Sequence, residues 1–263
     1  MRNLGIFLLL LLAGCAGAPA PEQAAEPPLH LYLLAGQSNM AGRGTVEEID
    51  STPVPRVFAL NSAMEWGPAK EPLHFDKPDI VGVGPGFAFG RAMAEAEPNV
   101  RIGLIPAAAG GSSIRAWQHR AMHEGTQSPP WDDALSRTFR VLALEGGELH
   151  GIIWHQGESD SKDYTAEYED ALVDLVQRFR KEFRQPDLPF VAAQLAEFYY
   201  EKSPGAAEIN AAIAHLPERL PHTAYVTAEG FTARPDGVHL DSASARELGK
   251  RYAEAMLKLE GAK

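Results

Sequence analysis

Residues His30–Gly44 read HLYLLAGQSNMAGRG, and the fold follows from how this stretch is divided. Leu31, Tyr32, Leu33 and Leu34 are a short apolar run bounded by turn residues, the pattern of a strand buried on both faces. The run stops at Ala35-Gly36, and Gln37, Ser38 and Asn39 follow at once. A serine placed where a buried strand turns sharply is well placed as an exposed nucleophile. The plainer reading is that Ser38 caps the next helix, since serine is a common N-cap. The remaining motifs decide between the two.

Outward from this stretch, apolar runs alternate with amphipathic ones. Strands are expected at Arg56 to Leu60, Arg101 to Pro106, Leu149 to His155, Pro189 to Leu195 and Thr223 to Thr227. Helical spacing marks Phe87 to Glu97, Trp131 to Glu145, Tyr164 to Phe183, Ala206 to His215 and Ser242 to about Leu259. Ser244 and Glu247 stand in capping-box spacing at the start of the last of these. Asn61 to His74 reads as irregular. Alternation of this kind predicts an α/β domain with a mainly parallel sheet covered on both faces, spanning residues 29–263. Gly82, Gly84 and Gly86 lack both GxGxxG spacing and a P-loop lysine, so they read as a bend into a helix rather than a nucleotide site.

The first 28 residues stand apart. Met1-Arg2-Asn3 is a short basic start, Leu4 to Leu12 is apolar, and small residues precede Cys15, the one cysteine of the chain. Residues 1–14 read as a signal peptide of the bacterial lipoprotein kind, too short for a stable membrane span. Cys15 is then the lipidation site and 15–28, rich in Ala, Pro and Glu, a tether. The expected location is the cell envelope, on the periplasmic or outer-surface side, with membrane attachment through the lipid. Cleavage near Ala18 or Ala20 as an ordinary signal peptide is the alternative. A net charge of −11 disfavours nucleic-acid binding. A lone cysteine excludes an internal disulfide and a cysteine metal cluster.

In an open parallel sheet ligands bind beyond the carboxyl ends of the strands. Three such ends carry compact polar clusters: Ser38 with its neighbours, Gly110-Gly111-Ser112-Ser113, and His155-Gln156-Gly157-Glu158. A fourth, Asp236-Gly237-Val238-His239, precedes the last helix. Together they suit acyl transfer. A serine hydroxyl needs a base that cycles at neutral pH, which histidine provides, and an acid that holds the imidazole tautomer. Asp236 and His239, three apart, can supply both from one turn. The backbone N–H groups of Ser38 and Gly111, with the Gln156 amide, are candidate oxyanion donors. Each residue has a bland alternative as turn, cap or surface group; their coincidence at strand ends favours the chemistry. A metal site from His155, Glu158 and Asp160 is disfavoured, because neighbouring strand-end residues alternate in direction. No cofactor is expected. Trp66, Trp117, Tyr199 and Tyr200 are candidates to stack on a sugar.

GQSNM at Gly36 to Met40, GGSS at Gly110 to Ser113, HQGESD at His155 to Asp160 and DGVHL at Asp236 to Leu240 resemble the sialate O-acetylesterase-type branch of the SGNH hydrolases. That branch includes carbohydrate esterase family six with its acetylxylan esterases. The resemblance implies a flavodoxin-like, three-layer α/β/α sandwich and a triad of Ser38, Asp236 and His239. It also implies an oxyanion hole of Ser38, Gly111 and Gln156, and an acetylated carbohydrate substrate. Many relatives read Gly-Gly-Thr where Ser112 stands here. The surroundings of Ser38 lack the GxSxG elbow of an α/β-hydrolase. Glu158 is expected to support the site structurally, by buttressing His239 or the Ser38 loop. The rivals are a surface-anchored carbohydrate-binding protein without catalysis and an esterase of lipids or thioesters. Loop shape, chiefly in Arg43 to Asp79 and Gln118 to Pro130, is expected to decide which acetylated sugar is taken.

Overall fold

The computed structural model describes residues 26–261. The signal-peptide, Cys15 and most of the tether assignments lie outside these residues. Seven strands form one sheet: β1 (Leu29–Gly36), β2 (Val57–Leu60), β3 (Trp66–Pro68), β4 (Arg101–Pro106), β5 (Glu148–His155), β6 (Phe190–Ala193) and β7 (Thr223–Val226). Their order is β3-β2-β4-β1-β5-β6-β7, parallel throughout except for β3. The helices are α1 (Ser38–Ala41), α2 (Glu48–Ser51), α3 (Pro85–Ala96), α4 (Pro130–Leu144), α5 (Thr165–Phe183), α6 (Ala206–Arg219) and α7 (Ser242–Gly261). None of the described helices is long and apolar enough to cross a membrane.

β1 shows why the apolar run is continuous. Leu31, Leu33 and Ala35 enter a core shared with α4, α5 and α6, while Tyr32 and Leu34 enter a second core shared with α3 and α7. Both faces are covered, so both sets of alternating positions are apolar. The result is the expected α/β/α sandwich. After β1 the chain builds β2 and β4 on one side and then crosses to β5 on the other. The carboxyl end of β1 is therefore the switch point, where a crevice opens between diverging loops.

Local chemistry sets the element ends. Gly84 precedes α3 and Pro85 opens it, where a missing N–H costs nothing. Arg184, in left-handed conformation (φ 54°), ends α5. Three expectations need correction. Asn61 to His74 is not wholly irregular, because Trp66–Pro68 pairs antiparallel with β2 as an edge strand. α6 continues past His215 to Arg219. The cap of α7 is Asp241, whose Oδ1 accepts the Ser244 N–H at 2.8 Å; the Ser244 hydroxyl instead accepts from Thr232 N–H at 2.9 Å. At the other end of the sheet, Glu26–Pro28 are held rather than free. The Arg101 guanidinium bonds the Pro27 carbonyl at 3.0 Å and pairs with Glu26.

Candidate active site

β1 delivers Ser38. Gly36 must lack a side chain there: its φ is +132°, and a Cβ would come within 2.1 Å of the His155 carbonyl oxygen. The backbone can thus pass close to β5, and the Gln37 N–H donates to that same oxygen at 2.8 Å. Ser38 follows as the first residue of α1, with 7% of its surface exposed. Its N–H meets no acceptor among the described residues.

The loop before α7 brings the base. His239 Nε2 stands 3.0 Å from Ser38 Oγ, and its Nδ1 stands 2.9 Å from Asp236 Oδ2. The second Asp236 oxygen accepts the N–H groups of Val238 (2.8 Å) and His239 (2.9 Å). Partial burial alone would raise the Asp236 carboxyl. The hydrogen bonds from the His239 ring and the two backbone N–H groups outweigh it and bring the pKa to about 2. Asp236 is therefore an anion throughout the neutral range, fit to orient the imidazole and stabilise its protonated form.

Asn39, next to the serine, pins this loop. Its Oδ1 accepts the Leu240 N–H at 2.9 Å and its Nδ2 donates to the Val238 carbonyl at 3.2 Å, so both neighbours of His239 are held. Asn39 Nδ2 also donates to Glu158 Oε1 at 2.6 Å. Glu158 is thus placed beneath the histidine loop through Asn39. His155 is fully buried, and burial lowers its pKa, leaving a neutral ring. Asp160 faces elsewhere, accepting from Ser113 Oγ, from Ile114 N–H at 2.8 Å and from the Gln156 amide. Among the described residues no group of three His, Cys, Asp or Glu could hold a metal ion.

Gln156 requires a correction. It is fully buried beneath the cleft, and its Nε2 faces Asp160 Oδ2 (2.5 Å), the Ser112 carbonyl (3.0 Å) and Gln37 Oε1 (3.1 Å). An amide nitrogen has two hydrogens, and three acceptors already compete for them. Gln156 ties the strand ends together and leaves no donor for substrate. Gly111 does reach the cleft, with its N–H free of acceptors among the described residues and open space where a Cβ would stand. Trp117 is also corrected: it is fully buried, its Nε1 donating to Ser112 Oγ at 3.1 Å. Trp66 packs against Phe58 at the sheet edge. Tyr199 lines the cleft; the Tyr200 hydroxyl receives the Asn210 amide.

The cleft measures about 440 Å³ and is walled by Ser38, Gly111, Ser159, Tyr199, Val238 and His239. A groove of about 470 Å³ between α3 and α7 is slightly larger, but its Asp50 and Arg246 are paired to each other and no hydroxyl stands beside a base. Arg43, Asp76 and Arg234 were not singled out by the sequence. Arg43 and Asp76 form a buried ion pair (2.8 Å), Asp76 Oδ2 accepts the Gly110 N–H (2.8 Å), and Arg234 donates to the Arg43 carbonyl. One network thus joins the serine, glycine and histidine loops. No motif spacing could have shown it.

Residues 28–258 match the family model of the carbohydrate esterase, sialic acid-specific acetylesterase family. The chain belongs to this family. It is accordingly an esterase of the acetyl-ester-hydrolysing kind. A probable carbohydrate esterase of Arabidopsis thaliana is 32% identical, over 92% of this chain and 95% of that protein. The X-ray structure of an Arabidopsis thaliana protein superposes with a TM-score of 0.78 at 28% identity, covering 88% of this chain and 99% of that one. NanS shares the fold at 20% identity, with a TM-score of 0.70 over 91% of this chain and all of that one. So does a carbohydrate acetylesterase from Xanthomonas citri, at 20% identity and TM-score 0.68, over 90% of this chain and 57% of that one.

Proposed function

We propose that the protein is a serine O-acetylesterase of carbohydrates, acting through Ser38, His239 and Asp236 and an acetyl-enzyme. The observation that carries this reading is the unbroken line from Ser38 Oγ to His239 to Asp236, opening on a cleft with two unengaged backbone N–H groups. Ser38 Oγ attacks the acetyl carbonyl carbon while His239 Nε2 takes its proton. The carbonyl oxygen becomes an anion facing the N–H groups of Ser38 and Gly111. The intermediate collapses, the sugar oxygen leaves with the proton from His239, and the acetyl group stays on Ser38. A water, deprotonated by His239, then attacks the acetyl carbon; the bond to Ser38 Oγ breaks, that oxygen takes the proton back from His239, and acetate is released.

Support for the substrate comes from the family and from charge. In a chain of net charge −11, Lys77 and Lys162 both line the cleft, whereas the Arg43 charge is met by Asp76. Among the described residues neither lysine forms an ion pair, and Glu158 is the one carboxylate in the cleft lining, so the excess of cations favours a sugar bearing a carboxylate over a neutral one. The test is acetate release from O-acetylated sialic acid, acetylated xylan and peptidoglycan, with butyrate and octanoate esters for comparison. The reading predicts release from acetyl esters, fastest from the acidic sugar, and none in Ser38→Ala. Hydrolysis that survives in Ser38→Ala overturns the mechanism, and a preference for octanoate overturns the substrate class. Attachment of the enzyme to the envelope through lipidated Cys15 completes the proposal. Loss of membrane-fraction recovery in Cys15→Ala tests it, and unchanged recovery contradicts it.

A further inference from the structure

Residues 109–112 form a tight turn whose central peptide bond joins Gly110 to Gly111. The Ser112 N–H donates to the Ala109 carbonyl at 3.1 Å, Gly111 has φ +85°, and Gly110 is not in the positive-φ region. That combination is a type II turn, which calls for glycine at its third position. The type I turn differs by rotation of the central peptide through about half a circle. With glycine on both sides of that peptide, no Cβ resists the rotation. Something outside the turn has to fix it.

The other peptides of the block are each held by a named partner. Asp76 Oδ2 takes the Gly110 N–H, Ser159 Oγ donates to the Gly111 carbonyl at 3.0 Å, and Gln156 Nε2 donates to the Ser112 carbonyl. For the central peptide the partner is His123, whose Nε2 stands 3.1 Å from the Gly110 carbonyl oxygen. A carbonyl oxygen accepts only, so Nε2 carries the hydrogen. The peptide unit is planar and trans, so the Gly110 C=O and the Gly111 N–H point in opposite directions. Fixing one fixes the other. Turning the C=O away from His123 would turn the Gly111 N–H out of the cleft.

We infer that His123 is a positioning residue, which locks the Gly110–Gly111 peptide in the orientation that offers the Gly111 N–H to the oxyanion. This rests on the proposed reading of Gly111 as an oxyanion donor. The loop carrying His123 is built for the task. The His123 N–H and the Ser128 carbonyl bond at 2.8 Å, so the loop keeps its shape without the imidazole. Gly125 leaves room for the ring: a Cβ there would stand 2.7 Å from His123 Nε2. Donation to the Gly110 carbonyl also polarises the whole peptide and strengthens its N–H as a donor.

The test compares wild type, Ser38→Ala, His123→Ala, His123→Gln and Gly125→Ala on a chromogenic acetate ester, with thermal midpoints recorded alongside. Gln keeps an N–H donor at a similar reach. His123→Ala is expected to lower kcat about tenfold, less than deletion of a whole oxyanion donor, with KM changed less than about twofold. His123→Gln should recover most of the loss, and Gly125→Ala should reproduce part of it by displacing the ring. The inhibition constant of a small alkylboronic acid, which forms a tetrahedral adduct on an activated serine, should weaken in His123→Ala by the same factor as kcat. A merely structural role would lower the thermal midpoint and would not be rescued by Gln. Unchanged kcat in His123→Ala, or equal loss in the Ala and Gln variants, overturns the inference while Ser38-dependent hydrolysis leaves the parent reading standing. Absence of Ser38-dependent hydrolysis in the wild type overturns both.

Discussion

β1 has titratable residues at both ends, and the two ends do opposite things. At its start His30 stacks on His150 of β5 with ring centroids 3.6 Å apart, near Glu97 and Glu260. Burial, then the neighbouring His150, lower the His30 pKa, and the Glu97 and Glu260 carboxylates oppose them. Tyr32 donates to Glu260 at 2.9 Å. Just past its other end stand fewer groups, Ser38, His239 and Asp236, linked in series at 3.0 and 2.9 Å. What separates the two is the backbone. At the carboxyl end, loops diverge and leave the Ser38 and Gly111 N–H groups facing a cleft; at the amino end the Tyr32 hydroxyl is taken by Glu260 and the two imidazoles stack on each other. A cluster of ionisable groups becomes a candidate site when unengaged donors and open space stand beside it.

The comparison can be broken by substitution. Ser38→Ala should lower kcat at least about ten-thousandfold without unfolding the protein. His30→Gln or His150→Gln should leave kcat within about twofold, since neither touches the cleft. A large kinetic loss from either histidine would erase the distinction. Asp236→Asn should cost about a thousandfold in kcat, because an amide cannot hold the imidazole in the same tautomer. Glu158→Gln and Asn39→Ala should each cost about tenfold, acting through the position of His239 rather than its charge state. If steady-state kinetics show Glu158→Gln to be as damaged as Asp236→Asn, Glu158 does more than support the loop.

The smallest effect concerns stability. Glu71 is fully buried and burial raises its pKa to about 8, although the Leu73 and Gly84 N–H groups donate to it. Between its ordinary value of 4.5 and about 8 the unfolded chain has lost this proton and the folded chain retains it. The unfolded state then binds fewer protons, so this group makes stability fall as pH rises through that window. Glu71→Gln should flatten the fall, seen in denaturant midpoints from pH 4.5 to 8, even if the variant is less stable overall. An unchanged slope would show that Glu71 ionises freely in the fold.

The architecture was legible because burial writes itself into pattern. The runs at Leu31 to Leu34 and Arg101 to Pro106 are apolar at every core position, and α5 keeps Tyr168, Leu172, Leu175, Val176 and Phe179 on one buried face. β3 was missed because three residues at an edge carry no periodicity. The Ser244 cap was misplaced because Asp241, one residue before the helix, offers the same chemistry. Ser38, His239 and Asp236 lie within hydrogen-bond reach of one another in that order. Gln156 and Trp117 show the limit: a residue type names what a side chain can do, and its direction comes from tertiary packing. His123 and Asp76 were invisible for the same reason, being joined to the glycine turn only by the folding of two loops.

The most direct test of the central claim is covalent labelling of the nucleophile. The protein is treated with a fluorophosphonate and digested, and the adduct is located by mass spectrometry. The account predicts one adduct, on Ser38, absent from Ser38→Ala and much slower to form in Asp236→Asn. Labelling at another serine, or none in an enzyme that still releases acetate, would contradict it.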